Sequence, residues 1–214
     1  GQLSTLQRWI SQLPENAFRQ NVDLALFAAM LPGWTGQLDL AEARLDAVEK
    51  LIATAPSSGE QTAATRRRLG WVAMVRAMLA ARRGDVSEAL RQADHAFGLL
   101  PPDDHIGRGG NLVAVGLAHL TRGELLEAQV AYEQAADQAR YTDHWFLLIG
   151  ALGRLAPVQI TLGRLHAANT LIDPGPRNGD HHYPVRLPFP HDSRHILSTG
   201  VPQDQLLQAH APLE

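Results

Sequence analysis

Apolar residues recur along most of the chain at three- and four-residue intervals, the spacing of helices with one buried face. Leu3, Leu6, Ile10 and Leu13 share one side of a short segment, with Trp9 beside them and Pro14 ending it. From Asn21 to Leu31 nearly every position is apolar, as expected for a helix packed on both sides, and Pro32-Gly33 is expected to break it. From Asp39 to Thr54 the stripe is Leu40, Ala43, Ala47, Val48, Leu51 and Ile52, with Glu42, Asp46, Glu49 and Lys50 outside it. Pro56-Ser57-Ser58-Gly59 reads as a loop. Arg66-Arg67-Arg68 is expected to open the next helix, whose apolar surface runs through Trp71, Met74, Val75, Met78 and Leu79 to Arg82-Arg83-Gly84. Its companion ends at Leu100-Pro101-Pro102. Asn111 to Thr121 and Glu124 to Tyr141 form a third pair, and Trp145 begins a fourth. Pro157 lies inside that helix and, lacking a backbone donor, is expected to kink it. The periodicity stops at Ile172.

The paired helices carry an internal repeat. Gly36, Gly84, Gly123 and Gly163 lie 48, 39 and 40 residues apart, each between two helical stretches. Glycine takes the left-handed backbone conformation that ends a helix and reverses the chain. Five residues after each comes alanine (Ala41, Ala89, Ala128, Ala168), and seven before it a small residue (Ala29, Ala77, Gly116, Ala156). Small residues at such positions let antiparallel helices approach closely. A period in this range marks a solenoid of helical hairpins.

In the third repeat Gly116, Gly123, Ala128, Tyr132 and Ala135 resemble the tetratricopeptide repeat (TPR) pattern, and Ala77, Gly84, Ala89, Ala96 and Pro101 fit the same frame in the second. The longer period, the phrase Leu6 to Glu15 and the phrase Ala96 to Asp104 resemble the sensor region of MalT-like, LuxR-type large transcriptional activators, over about residues 3 to 172. The fold so implied is all-α: a TPR-like helical-hairpin solenoid, a right-handed superhelix, over 1–172, with an irregular Pro/His-rich tail at 173–214.

Composition narrows the function. With 214 residues, net charge −3 and 45% apolar residues, the chain lacks the basic field that direct nucleic-acid contact needs. Lys50 is the single lysine. Three consecutive arginines are too few for a nucleic-acid stripe and read as a solvated helix face. Cysteine is absent, which removes disulfides, thiol nucleophiles and Cys-based metal sites and agrees with a cytoplasmic setting. No secretion leader or membrane span is seen. Asp103-Asp104-His105 could ligate a metal, but its place after two prolines fits a helix cap better. Gly107, Gly109 and Gly110 precede a helix without the Lys-Ser or Lys-Thr of a phosphate loop, so close packing explains them better. His95, His119 and His144 have no spaced partner that would organise catalysis. The tail holds seven of the 13 prolines and five of the 10 histidines. His181, His182, His191 and His195 lack a scaffold for a metal there, and a frameshift or a lineage-specific extension would account for the change. No enzyme, metal or cofactor is expected.

The TPR frame places Trp71, Met74 and Met78, then Gly110, Val113, Leu117 and Leu120, then Gly153 and Pro157 along a concave groove, with Trp71 as its aromatic anchor. Each could equally be core between hairpins. The resemblance implies a small-molecule inducer or regulatory protein in that groove, biasing self-association, with an ATPase module upstream and a helix-turn-helix module downstream. Neither module is found here. The start inside a helix at Gln2-Leu3 suits a fragment; the other reading is a stand-alone adaptor docking a partner peptide.

Overall fold

The computed structural model describes residues 2–54, 59–142 and 144–172, which fall within one compact unit, Gly1–Gly175. The tail and its histidines lie outside the described residues. Among the described residues there are ten helices and no strand: α1 (Gln2–Ser11), α2 (Glu15–Gln20), α3 (Val22–Trp34), α4 (Leu38–Ala53), α5 (Gly59–Arg83), α6 (Val86–Leu99), α7 (His105–Arg122), α8 (Leu125–Tyr141), α9 (Trp145–Thr161) and α10 (Leu165–Ile172). α3/α4, α5/α6, α7/α8 and α9/α10 are successive hairpins, each packed on its neighbours. The fold is the expected all-α, TPR-like helical repeat.

Each hairpin turns on its glycine. Gly36, Gly84, Gly123 and Gly163 have φ of 84°, 79°, 77° and 75°, the left-handed region where a side chain would be strained. Beside each turn the small residues are packed out of water; Ala29, Ala41, Ala77 and Ala128 are fully buried. The third repeat shows the cause most directly, because a Cβ on Gly116 would stand 2.6 Å from Cε1 of the buried Tyr132 ring. The largest core joins the first two hairpins, where Leu26, Ala29, Leu45 and Val48 meet Met74, Val75 and Leu79.

Four boundaries differ from the sequence reading. One is α7, which starts at His105 rather than Asn111 and so contains Gly107, Gly109 and Gly110 instead of following them. α3 is not broken at Pro32-Gly33 but runs through to Trp34. Proline cannot donate to the carbonyl four residues earlier. Here Arg44 Nη1 of α4 donates to that carbonyl, Ala28 O, at 2.9 Å, so the helix loses no partner there. α5 begins at Gly59 rather than at the arginine run, because nothing between Gly59 and Arg66 breaks a helix. α2 follows Pro14 directly, with the proline as its N-cap residue. Pro157 lies within a continuous α9.

Cations bind the hairpins together. Arg76 of α5 fans across α4, with Nε 2.8 Å from Glu42, Nη2 2.7 Å from Asp46 and Nη1 2.8 Å from Glu49. Those carboxylates outweigh the burial that would lower its pKa, and it is held above the ordinary arginine range. The run Arg66-Arg67-Arg68 is spent the same way. Arg66 donates to Gly98 O at 2.6 Å, Arg67 Nε to Asp104 at 2.6 Å, and Arg68 to both carboxylate oxygens of Asp23 at 2.8 and 2.9 Å. Exposed pairs add little stability individually, so they set register more than they strengthen the fold.

Candidate functional site

The first helices of the second, third and fourth hairpins, α5, α7 and α9, carry every residue expected along the groove. Met74 and Val113 are each 5% exposed and lie in the interior. Gly110 packs on Met74, whose Sδ would be 3.2 Å from a Cβ at that position. Met78 leans on Ala77, Ala93, Ala114, Val115 and Ala131, and Leu117 on Ala80, Ala81, Ala89 and Ala118; both are half-buried. Leu120, Gly153 and Pro157 are exposed.

Trp71 is half-buried and tied down. Its indole N–H donates to Asp104 Oδ2 at 2.8 Å, the oxygen that also accepts from Arg67. Oδ1 of the same carboxylate accepts the Gly107 amide at 2.9 Å and caps α7, as the sequence around Asp104 implies. Burial alone would raise the Asp104 pKa. Hydrogen bonds from Arg67, the Gly107 amide and Trp71 prevail, and the carboxyl is held below the usual range. The nearby glycines serve packing: a Cβ on Gly107 would be 2.9 Å from Leu100 Cδ2, and one on Gly109 2.6 Å from Leu147 Cδ2.

α9 presents an apolar stripe to solvent. Phe146, Ile149, Gly153, Pro157 and Ile160 follow one another at three- and four-residue steps and are all exposed, Ile149 at 62%. Gly150 and Gly153 open space beside it, since a Cβ on either would have no atom within 4 Å. The stripe does not stand alone. Phe146 of α9 lies 5.5 Å, centroid to centroid, from Trp34 of α3. Phe27 reaches Trp34 edge-on at 6.2 Å, and Trp145 reaches Phe146 edge-on at 6.1 Å. Four rings thus run from the first hairpin to the fourth. Ile149 and Phe146 could have been found in the sequence by stepping back four and seven residues from Gly153. Trp34 carries no such local signal, because its partner is a contact between distant segments.

A separate open cleft of about 700 Å³ lies between the first turns of α5 and the α6–α7 corner, lined by Ala64, Arg66, Phe97, Leu99, Pro101 and Arg108 among others. Its arginines are engaged: Arg66 by the Gly98 carbonyl, and Arg108 over the Phe97 ring at 5.1 Å. None of the four rings lines it.

A family model described as the MalT-like TPR region matches residues 70–177, just over half of the chain. The chain belongs to the MalT-like TPR family. Comparison with curated proteins and with solved structures finds no match. In this MalT-like TPR region the matched segment begins within α5 of the second hairpin, covers the third and continues through the fourth. Its histidines are structural where they are engaged: His144 caps α9 by accepting the Leu147 amide at 3.1 Å, and His119 Nδ1 lies 2.6 Å from Glu124 across the α7–α8 turn. Among the described residues of the region no three metal-ligating side chains converge. No helix there is long and apolar enough to cross a membrane.

Proposed function

We propose that this MalT-like TPR region is the sensing and interaction part of a bacterial LuxR-type transcriptional activator, working in the cytoplasm. Its first-helix face would take up an inducer or a regulatory protein and thereby bias self-association. The observation that carries this reading is the exposed apolar stripe of α9, joined through Phe146 to Trp34 and Phe27 of α3. A solenoid has every reason to bury such residues between hairpins, and a contiguous exposed apolar face marks a contact surface. In this reading Leu120, Gly153 and Pro157 line the groove and Met78 and Leu117 form its floor. Trp71, Met74, Gly110 and Val113 support it from beneath. Binding to one arrangement of the hairpins shifts the population toward it, which is how a module without catalysis regulates its neighbours.

Gly153→Trp tests the reading, because it fills open space on the exposed face without touching the core. With the neutral fluorescent probe N-phenyl-1-naphthylamine, wild-type protein should bind and the variant should lose most of that binding at an unchanged melting temperature. Binding equal to wild type in a folded variant would refute this face as the site.

A further inference from the structure

Counted back from the glycine that turns each hairpin, the α9 stripe occupies positions that the other hairpins bury. Ile149, Gly153, Pro157 and Ile160 stand fourteen, ten, six and three residues before Gly163. Fourteen before Gly123 is Gly109, buried and closed off by Leu147 of the following hairpin. Ten before Gly84 is Met74, 5% exposed, with its Sδ against Gly110 of the following hairpin. Six before Gly84 is Met78, which leans on a cluster containing Ala114, Val115 and Ala131 of the following hairpin. Three before Gly36 is Gly33, buried against Leu79 of the following hairpin. In each case the next hairpin in line supplies the cover, as stacking in a solenoid requires. On α9 all four positions are exposed, and among the described residues no further hairpin lies over them. The stripe is thus a stacking face, in register with three buried ones. The other end of the stack is closed. Leu31 stands five residues before Gly36 as Leu79 does before Gly84, the position that faces the preceding hairpin at Gly33. Ile10 of α1 is buried with Leu31 and Ala28 there, in the place of a preceding hairpin. Head-to-tail stacking of two copies would have to displace α1.

Building on the groove reading above, in which this stripe is a contact surface, we propose that it is covered by a second copy of this chain. The two α9 helices lie against each other about a twofold axis, each stripe serving as the other's missing hairpin. An open face whose opposite end is capped can meet its own kind only face to face, and that is the closed, isologous arrangement commonest among oligomers. The helix suits it. Gly150 and Gly153, where a Cβ would meet no atom within 4 Å, let two backbones approach closely at the middle of the stripe. α9 carries no acid and a single cation, Arg154, whose Nη1 is turned back onto the Gly150 carbonyl at 3.1 Å. A strongly charged partner therefore finds little to pair with, whereas two copies bring together surfaces that are apolar on both sides. An inducer or regulatory protein seated on the stripe competes with the second copy for the same residues, so its binding parts the pair.

Sedimentation velocity over a concentration series should show a reversible monomer–dimer equilibrium for the wild-type protein, shifted toward monomer by N-phenyl-1-naphthylamine. Ile149→Asp places a charge at an exposed position without touching the core, and should weaken dimerisation at least tenfold with helicity unchanged by circular dichroism. The chain has no cysteine, so one introduced thiol reports which surfaces meet. Gly153→Cys should oxidise to a disulfide-linked dimer, whereas Trp9→Cys, exposed on α1 at the other end, should not. A protein that binds the probe yet stays monomeric throughout the series overturns the pairing and leaves the groove reading standing. A dimer indifferent to Ile149→Asp, or equal crosslinking of the two cysteine variants, overturns it too. A dimer with the expected properties whose monomer fails to bind the probe supports the pairing and overturns the ligand half of the groove reading.

Discussion

Asp104 is the place to test how the second and third hairpins are joined. One carboxylate caps α7 through the Gly107 amide and holds the Trp71 indole and Arg67, both on α5. Asp104→Ala removes the cap, worth about 1 kcal/mol. It also leaves a half-buried indole N–H without an acceptor and a cation without its partner, which together cost about 2 kcal/mol. The expected loss is about 3 kcal/mol, or a melting temperature lower by about 6–12 °C for a protein of this size. Trp71→Phe alone should cost about 1 kcal/mol. In the Asp104→Ala background it should cost almost nothing, because the stranded donor is gone. A double-mutant cycle by urea denaturation would therefore show a coupling of about 1 kcal/mol. The pH dependence supplies a second reading. The folded-state pKa of Asp104 is depressed, so its contribution is complete above the ordinary carboxylate value of about 3.9 and is lost as pH falls below it. The stability gap between wild type and Asp104→Asn should be constant above about pH 5 and narrow below it. Additive mutations within about 0.3 kcal/mol, or a gap that widens in acid, would refute the argument.

Gly116→Ala should destabilise by about 1–3 kcal/mol, since its Cβ would stand 2.6 Å from the fully buried Tyr132 ring. Tyr132→Leu should cost less in that background than alone, as calorimetry would show. Arg44→Met removes the donor to Ala28 O beneath Pro32 and should cost about 1 kcal/mol. Pro32→Ala restores a backbone N–H for the same carbonyl and should recover part of that loss in urea titrations.

The repeat was legible because its determinants are local. A glycine with positive φ, an alanine five residues on and a small residue seven residues back act within one hairpin, and all four repeats show them. Asp104 as a cap and the packing glycines of α7 were legible for the same reason. The continuation of α3 through Pro32 was not. The rule that proline ends helices assumes an unsatisfied carbonyl, and here a side chain from the next helix satisfies it. The expected groove residues divide by depth in a way periodicity cannot resolve: Met74 and Val113 are interior, whereas Gly153 and Pro157 are open to solvent. Helical spacing says which residues share a face, but how far the neighbouring hairpin overlaps that face is decided by tertiary packing. The Trp34–Phe146 contact likewise depends on how distant hairpins meet, which no short segment encodes.

Trp34 resting on Phe146 has a mechanical consequence. Hairpins that touch only their neighbours stretch like a coil spring and can unravel from either end one unit at a time. A clasp between the first and fourth units makes the spring a closed loop. A pull that parts the first hairpin from the fourth therefore has to break this contact, worth about 1 kcal/mol, in addition to the packing between neighbouring hairpins.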